Sequence, residues 1–327
     1  MDMHGAVAFA AGLGLLVVAA EMVVRGASRL AASLGVEPLL LGLTVVAVGT
    51  SIPELAVGIT ASLQGSGALA VGNIAGTNVF NILFILGLIA VLKPLPLHLQ
   101  VLKLELPTMV GAAVLMSVFA WDGAITQLDG GVLLVAAVLY TLALIVLSRR
   151  ETPALKEEFS NVYGADDAGT GAVAGQRAKY AAVLAAGLAL SVLGANWLVS
   201  GAVDIARTLG LSEAVIGLTI VAVGTSAPEL VTSIVATLRD ERDVAVGNLL
   251  GSSIYNILVI LGLTCLVTPG GVPVERQLTL VDIPLMAGVA LLCVPVFMTG
   301  KRISRLEGGI GIALYLAYML WLVLFRA

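Results

Sequence analysis

The chain has 327 residues, of which 59% are hydrophobic and 12% charged, and a mean hydropathy of +1.06. Soluble domains carry about one quarter charged residues, so this composition excludes a soluble globular protein and points to one embedded in a bilayer. The net charge of −4 singles out no partner, nucleic acid included.

Apolar stretches of about 20 residues, the length that crosses the hydrocarbon core as a helix, recur along the whole chain. In order, spans are expected near residues 3–24, 39–63, 69–92, 105–121, 130–148, 179–203, 214–238, 244–267, 280–299 and 308–325. The first begins Met1-Asp2-Met3-His4 with no basic residue before it, and reads as a span rather than a cleaved signal peptide. Glu21, one turn before Arg25 and near a span end, is expected to pair there. Cys265 and Cys293 lie within apolar spans without metal-ligand spacing and read as small buried hydrophobes. His4 and His98 sit near span ends, and no histidine cluster offers a transition-metal site. Between the fifth and sixth spans, residues 149–178 are charged first and then rich in Gly and Ala. They read as a flexible cytoplasmic linker, at about 30 residues too short to bury a core.

Of the 17 basic residues, fourteen fall in loops on one side; Arg207, Arg276 and Arg326 stand on the other. Lysine and arginine accumulate on the cytoplasmic side, which places both termini outside the cytoplasm and the protein in the cell (inner) membrane. The fold expected is an all-α membrane protein of ten transmembrane helices in two five-helix repeats, 1–148 and 179–327. Five spans is an odd number, so the second repeat enters the membrane from the opposite side: the topology is inverted.

The repeat is explicit in the residues. Residues 42–88 open GLTVVAVGTSIPEL and close NVFNILFILGL; residues 217–263 open GLTIVAVGTSAPEL and close SIYNILVILGL, at a constant offset without gaps. Both copies put a glutamate, Glu54 and Glu229, inside an apolar span, where a charge costs at least about 2.5 kcal/mol and is a functional hypothesis by default. Pro53 lacks an amide hydrogen and, with Gly49, disturbs the turn before Glu54. Irregular backbone at membrane depth is tolerated only where it is buried in protein or lines a wet cavity, so carbonyls around Ala47, Gly49 and Thr50, and around Ala222, Gly224 and Thr225, can face a ligand. Thr50 shares a helix face with Glu54, with Ser51 beside them. On the next span Thr77 and Asn81 are four apart, matched by Ser252 and Asn256. All of these groups offer oxygen, the donor of hard cations: calcium takes six to eight oxygens at about 2.3–2.6 Å, and sodium is similar in size. Gly72, Gly76, Gly87, Gly247, Gly251 and Gly262 read as packing devices, and Asn73 and Asn248 as hydrogen-bonded hinges at the helix start.

These segments, GTSIPE with GNIAGTNVFN and GTSAPE with GNLLGSSIYN, resemble the two alpha repeats of the calcium/cation antiporter superfamily, in particular the short prokaryotic sodium/calcium exchangers. The resemblance implies that Glu54 and Glu229 are central ligands shared by calcium and sodium, with main-chain oxygens of Thr50 and Thr225 beside them. It implies that Ser51, Thr77 and Ala47, with Ser226, Ser252 and Ala222, complete flanking sodium sites, and that Asn81 and Asn256 line the centre. Some relatives carry aspartate where Asn256 stands, so potassium independence is expected here. Thr77 replaces the more usual serine.

The function expected is secondary antiport of sodium against calcium at one midplane site, with calcium export, no cofactor beyond the transported ions, and no partner but those ions and the bilayer. A proton/calcium antiporter is the alternative, since a buried glutamate can carry a proton. A passive channel lacks a loop-built filter. An enzyme lacks both a phosphate-binding Gly-x-x-x-x-Gly-Lys loop and a nucleophile paired with a base.

Overall fold

A computed structural model describes residues 3–97, 101–148, 170–208, 222–298 and 300–326. Helix α1 (Met3–Leu34) is followed by α2 (Pro38–Thr50) and α3 (Ile52–Leu63), which meet at Ser51 with a bend of 41°. Helices α4 (Gly67–Leu92), α5 (Val101–Phe119) and α6 (Gln127–Ser148) complete the first half. The second half runs through α7 (Thr170–Thr208), α8 (Ala222–Thr225), α9 (Ala227–Leu238), α10 (Arg242–Val267), α11 (Leu278–Met298) and α12 (Arg305–Arg326). Among the described residues, seven helices are long and apolar enough to cross a membrane, eight with the bent pair α2–α3 counted as one span.

Helices α4 and α10 are the most enclosed. In each, 78% of the most apolar window is buried, against 28–39% in the other long helices. A helix that is apolar all round belongs inside, and these two form the centre around which the rest stand with side chains such as Leu139, Leu142, Leu316 and Leu320 facing outward. Both contain a stretch of wider, π-type turns, Phe80–Ile85 and Asn256–Leu261. Such turns are rare inside α-helices and gather at functional sites.

Helices α1 and α7 lie antiparallel on one flank with their backbones close. A methyl group at Gly12 would come within 2.4 Å of the Leu198 amide nitrogen, and one at Gly201 within 2.3 Å of that of Phe9. Small residues at such contacts are how membrane helices pack without a hydrophobic driving force between them. Both helices outrun the expected spans. The Arg177 guanidinium donates two hydrogen bonds to the Ser33 carbonyl, at 2.6 and 3.0 Å, and Arg29 lies over the Tyr180 ring. These contacts extend the pair, so residues 170–178, expected in the linker, are helical. Residues 149–169, 214–221 and His98 lie outside the described residues.

The halves are also joined at their loops. Strand β1 (Leu95–Pro96) pairs antiparallel with β4 (Arg302–Ile303), and β2 (Ala124–Ile125) with β3 (Val272–Pro273). Glu21 pairs with Arg25, as expected, and also takes the Arg239 guanidinium at 2.6 and 3.0 Å. Lys93 bridges to Asp240 at 2.7 Å, and that hydrogen bond holds the exposed Asp240 carboxyl below its usual range.

Candidate cation site

The site is built where the helix α2–α3 break, the α8–α9 break, α4 and α10 meet. Ser51, at φ −85° and ψ 11°, and Ser226, at φ −88° and ψ 10°, leave helical geometry in the same way, in the sparsely populated bridge region. Pro53 and Pro228 fall in the first turn of the helix that restarts, where a missing N–H leaves no bond unmade. Glu54 and Glu229 occupy those same first turns. That is the positive end of the helix dipole, which favours a carboxylate.

Both glutamates are 0% exposed, and each is met by the opposite half. Ser51 donates its hydroxyl to Glu229 Oε1 at 3.1 Å, and Ser226 donates to Glu54 Oε1 at 3.1 Å. The Ser226 hydroxyl also lies 3.3 Å from Thr77 Oγ1, and Ser252 donates to the Ala47 carbonyl at 3.3 Å. Thr225 interacts with Glu54, and Thr50 and Ser252 with Glu229. Two mixed clusters result. One joins Ala47, Thr50 and Ser51 of the first half to Glu229 and Ser252 of the second; the other joins Thr225 and Ser226 to Glu54 and Thr77.

The expectation that Thr50 and Glu54 act together along one face is therefore modified. The chain breaks between them, and each turns to residues of the other half. Asn81 and Asn256 stand in the wide turns of α4 and α10, fully buried, while Ala222 opens α8. The Ala47 carbonyl remains tied to the Ser51 amide at 3.2 Å while also accepting the Thr50 and Ser252 hydroxyls. Asn248 is hydrogen-bonded as expected, to Thr50 and Ser233, and both it and Asn73 lie inside their helices rather than at the start. Of the glycines expected to pack, Gly247 and Gly251 meet the α2 backbone and Gly87 that of α12.

Four buried oxygens here have no hydrogen-bond partner in the protein: Glu54 Oε2, Glu229 Oε2, Asn81 Oδ1 and Asn256 Oδ1. An unpaired buried acceptor costs about 1–3 kcal/mol, more when charged. Among the described residues no Lys or Arg is buried, so no side-chain cation compensates the two carboxylates. No group of three or more His, Cys, Asp or Glu is present among those residues either. The donors are hydroxyls, amides, carbonyls and two carboxylates, a set suited to a hard cation of calcium or sodium size and unsuited to a soft transition metal.

Two further buried acids escaped the sequence reading. Glu105 and Asp282 end the wide first turns of α5 and α11, and Asp282 accepts a hydrogen bond from Tyr318 at 3.1 Å. The signal was Glu105-Leu106-Pro107 against Asp282-Ile283-Pro284, hidden because the repeat offset shifts beyond the core segments.

Comparison with known proteins places this geometry in context. Residues 4–146 and 179–324 match the profile of the family described as sodium/calcium exchanger protein. The inner membrane protein YrbG of Escherichia coli is 35% identical over 96% of this chain and 94% of its own length. The sodium/calcium exchanger MaX1 of Methanosarcina acetivorans is 33% identical over 94% of this chain and 95% of its own. The structure of the sodium-calcium exchanger NCX_Mj soaked with 10 mM Na+ and zero Ca2+ superposes with a TM-score of 0.83 at 28% identity, covering 100% of both chains.

Proposed function

The chain belongs to the sodium/calcium exchanger protein family, and from that premise we propose that it exchanges sodium for calcium at the site between Glu54 and Glu229. It is a multi-pass membrane antiporter, not an enzyme. The observation that carries the reading is the reciprocal bonding of Ser51 to Glu229 and Ser226 to Glu54, which leaves one oxygen of each carboxylate unpaired and buried.

In this reading the unpaired oxygens, with Asn81 and Asn256 and the main-chain oxygens of Thr50 and Thr225, take calcium at the centre. Ala47, Ser51 and Ser252 on one side, and Ala222, Ser226 and Thr77 on the other, take sodium. Calcium neutralises both carboxylates, whereas one sodium leaves a negative charge, so more than one sodium must replace each calcium. Both ions need the same glutamates, and this competition enforces exchange. The family resemblance further implies that the sodium entering carries more charge than the calcium leaving, which makes the cycle electrogenic and drives calcium export.

The frame of the reading is ten spans, two five-helix halves of inverted topology, and both termini outside the cytoplasm in the inner membrane. It is supported by the recurrence in both halves of the break, the wide turns and the loop strands. Such repeats place substrate at the midplane, where broken helices meet. Helices α1 and α7 are the elements that slide to open one side and then the other. Support for that role comes from α7 touching both breaks: a methyl at Gly49 would meet Leu188 at 2.5 Å, and one at Gly224 would meet Val199 at 2.2 Å.

The test is calcium uptake into vesicles containing the purified protein, driven by a sodium gradient alone and then by a pH gradient alone. Uptake with sodium is expected. Uptake with pH alone would replace this reading by proton/calcium antiport.

A further inference from the structure

The two breaks are not supported equally. Asn248 of α10 accepts the Thr50 hydroxyl on Oδ1 at 3.1 Å and donates Nδ2–H to Ser233 Oγ at 3.2 Å. All three residues are buried. The repeat places Asn73, Thr225 and Gly58 at the matching positions of the other half. Gly58 has no hydroxyl to offer, and Asn73 Nδ2 is a buried donor with no hydrogen-bond partner.

Ser233 lies one turn beyond Glu229 on α9, so the planar amide of Asn248 ties the α2–α3 break to the helix that carries the carboxylate Ser51 contacts. The Thr50 hydroxyl shares its proton between Asn248 Oδ1 and the Ala47 carbonyl, at 3.1 and 3.3 Å, and these contacts limit its rotation and steady the turn that carries it. A donor held in place beforehand loses less freedom when an ion arrives.

We propose that Asn248, anchored by Ser233, is a positioning residue that preorganises the cation subsite of Ala47, Thr50, Ser51, Glu229 and Ser252, so that this subsite holds sodium more tightly than its twin at Ser226. The inference rests on the exchange reading above. It bears on sodium more than calcium. Calcium at the centre is drawn chiefly by two carboxylates that Asn248 does not touch and shares only the Thr50 main-chain oxygen with this subsite, whereas a monovalent ion at the flank, beside one of those carboxylates, depends more on the neutral oxygens whose placement Asn248 sets.

The experiment measures sodium-driven calcium uptake in proteoliposomes for the wild type and for Ser233→Ala, Asn248→Ala and Ser233→Thr. Groups that orient a metal's ligands are worth about 10- to 100-fold in affinity. Ser233→Ala and Asn248→Ala should raise the half-saturating sodium concentration by about tenfold, with the half-saturating calcium concentration moving by less than about threefold and the rate at saturating sodium retained. Ser233→Thr keeps the hydroxyl and should restore wild-type sodium dependence. For a variant that reconstitutes poorly, displacement of bound calcium by sodium in detergent gives the same readout. An unchanged sodium requirement in folded variants beside a sodium-driven wild type overturns the role of Asn248, as does an equal shift for both ions. A wild type driven by a pH gradient and not by sodium overturns the exchange reading and this inference together.

Discussion

Ser51 and Glu229 belong to opposite halves of the chain, yet the serine hydroxyl sits 3.1 Å from the glutamate Oε1, and Ser226 repeats the contact with Glu54 at the same distance. Each half thus supplies the hydroxyl that steadies the other half's carboxylate.

Removing one such hydroxyl leaves a buried charged oxygen without its donor, a loss of about 1–3 kcal/mol. Ser51→Ala and Ser226→Ala should each weaken calcium binding by about tenfold, the equivalent of about 1.4 kcal/mol. Half-saturation of calcium uptake measures this. Equal affinity in both variants and the wild type would remove the cross-half contact from the mechanism.

Glu54→Gln and Glu229→Gln keep the shape of the side chain and its acceptor oxygen while deleting the charge. Each should abolish calcium transport with folding intact, seen as a symmetrical gel-filtration peak and an unaltered helical spectrum. A double variant that still exchanges would refute the site.

Asn256 is fully buried in the wide turn of α10, and its amide atoms have no hydrogen-bond partner in the protein. Asn256→Asp should add a third negative charge to the centre and make transport sensitive to pH or potassium. Flux recorded across a pH series and with added potassium decides the matter, and an unchanged ion dependence would put this position off the pathway.

Gly12 and Gly14 stand two residues apart on α1 and face different surroundings. A methyl at Gly12 meets the Leu198 backbone at 2.4 Å, and at Gly14 it meets nothing within 4 Å. Gly12→Ala should cost about 1–3 kcal/mol and lower the melting temperature by about 2–4 °C per kcal/mol. Gly14→Ala should leave it within about 0.5 kcal/mol of wild type. Matching melting curves for the two variants would deny the close approach of α1 and α7.

The residues of the candidate site stand out in the sequence because the repeat is ungapped from Gly42 to Leu88: anything chemical in one copy, such as Thr50, Ser51, Glu54 or Asn81, has its counterpart by counting. The break was legible too, since Gly49 and Pro53 weaken the same turn. Which hydroxyl meets which carboxylate was not. That depends on two helix ends converging from distant parts of the chain, whereas within one copy Thr50 and Ser51 are the polar neighbours of Glu54 in sequence. Asn248 was read as a hydrogen-bonded hinge, but its partners Thr50 and Ser233 are fixed by tertiary packing alone. The paired loop strands are two residues each, shorter than any periodicity a pattern can register.

Those strands bear on how the protein is made. Leu95 has its partner at Ile303 and Ala124 at Pro273, so neither strand of the first half can close until the ribosome is well into the second. The helices of the first half enter the membrane before their clasps exist, and truncation after residue 148 yields a polypeptide with two raw backbone edges. Both edges are covered only when residues 272–273 and 302–303 of the second half reach them, just before the last helix at Arg305–Arg326.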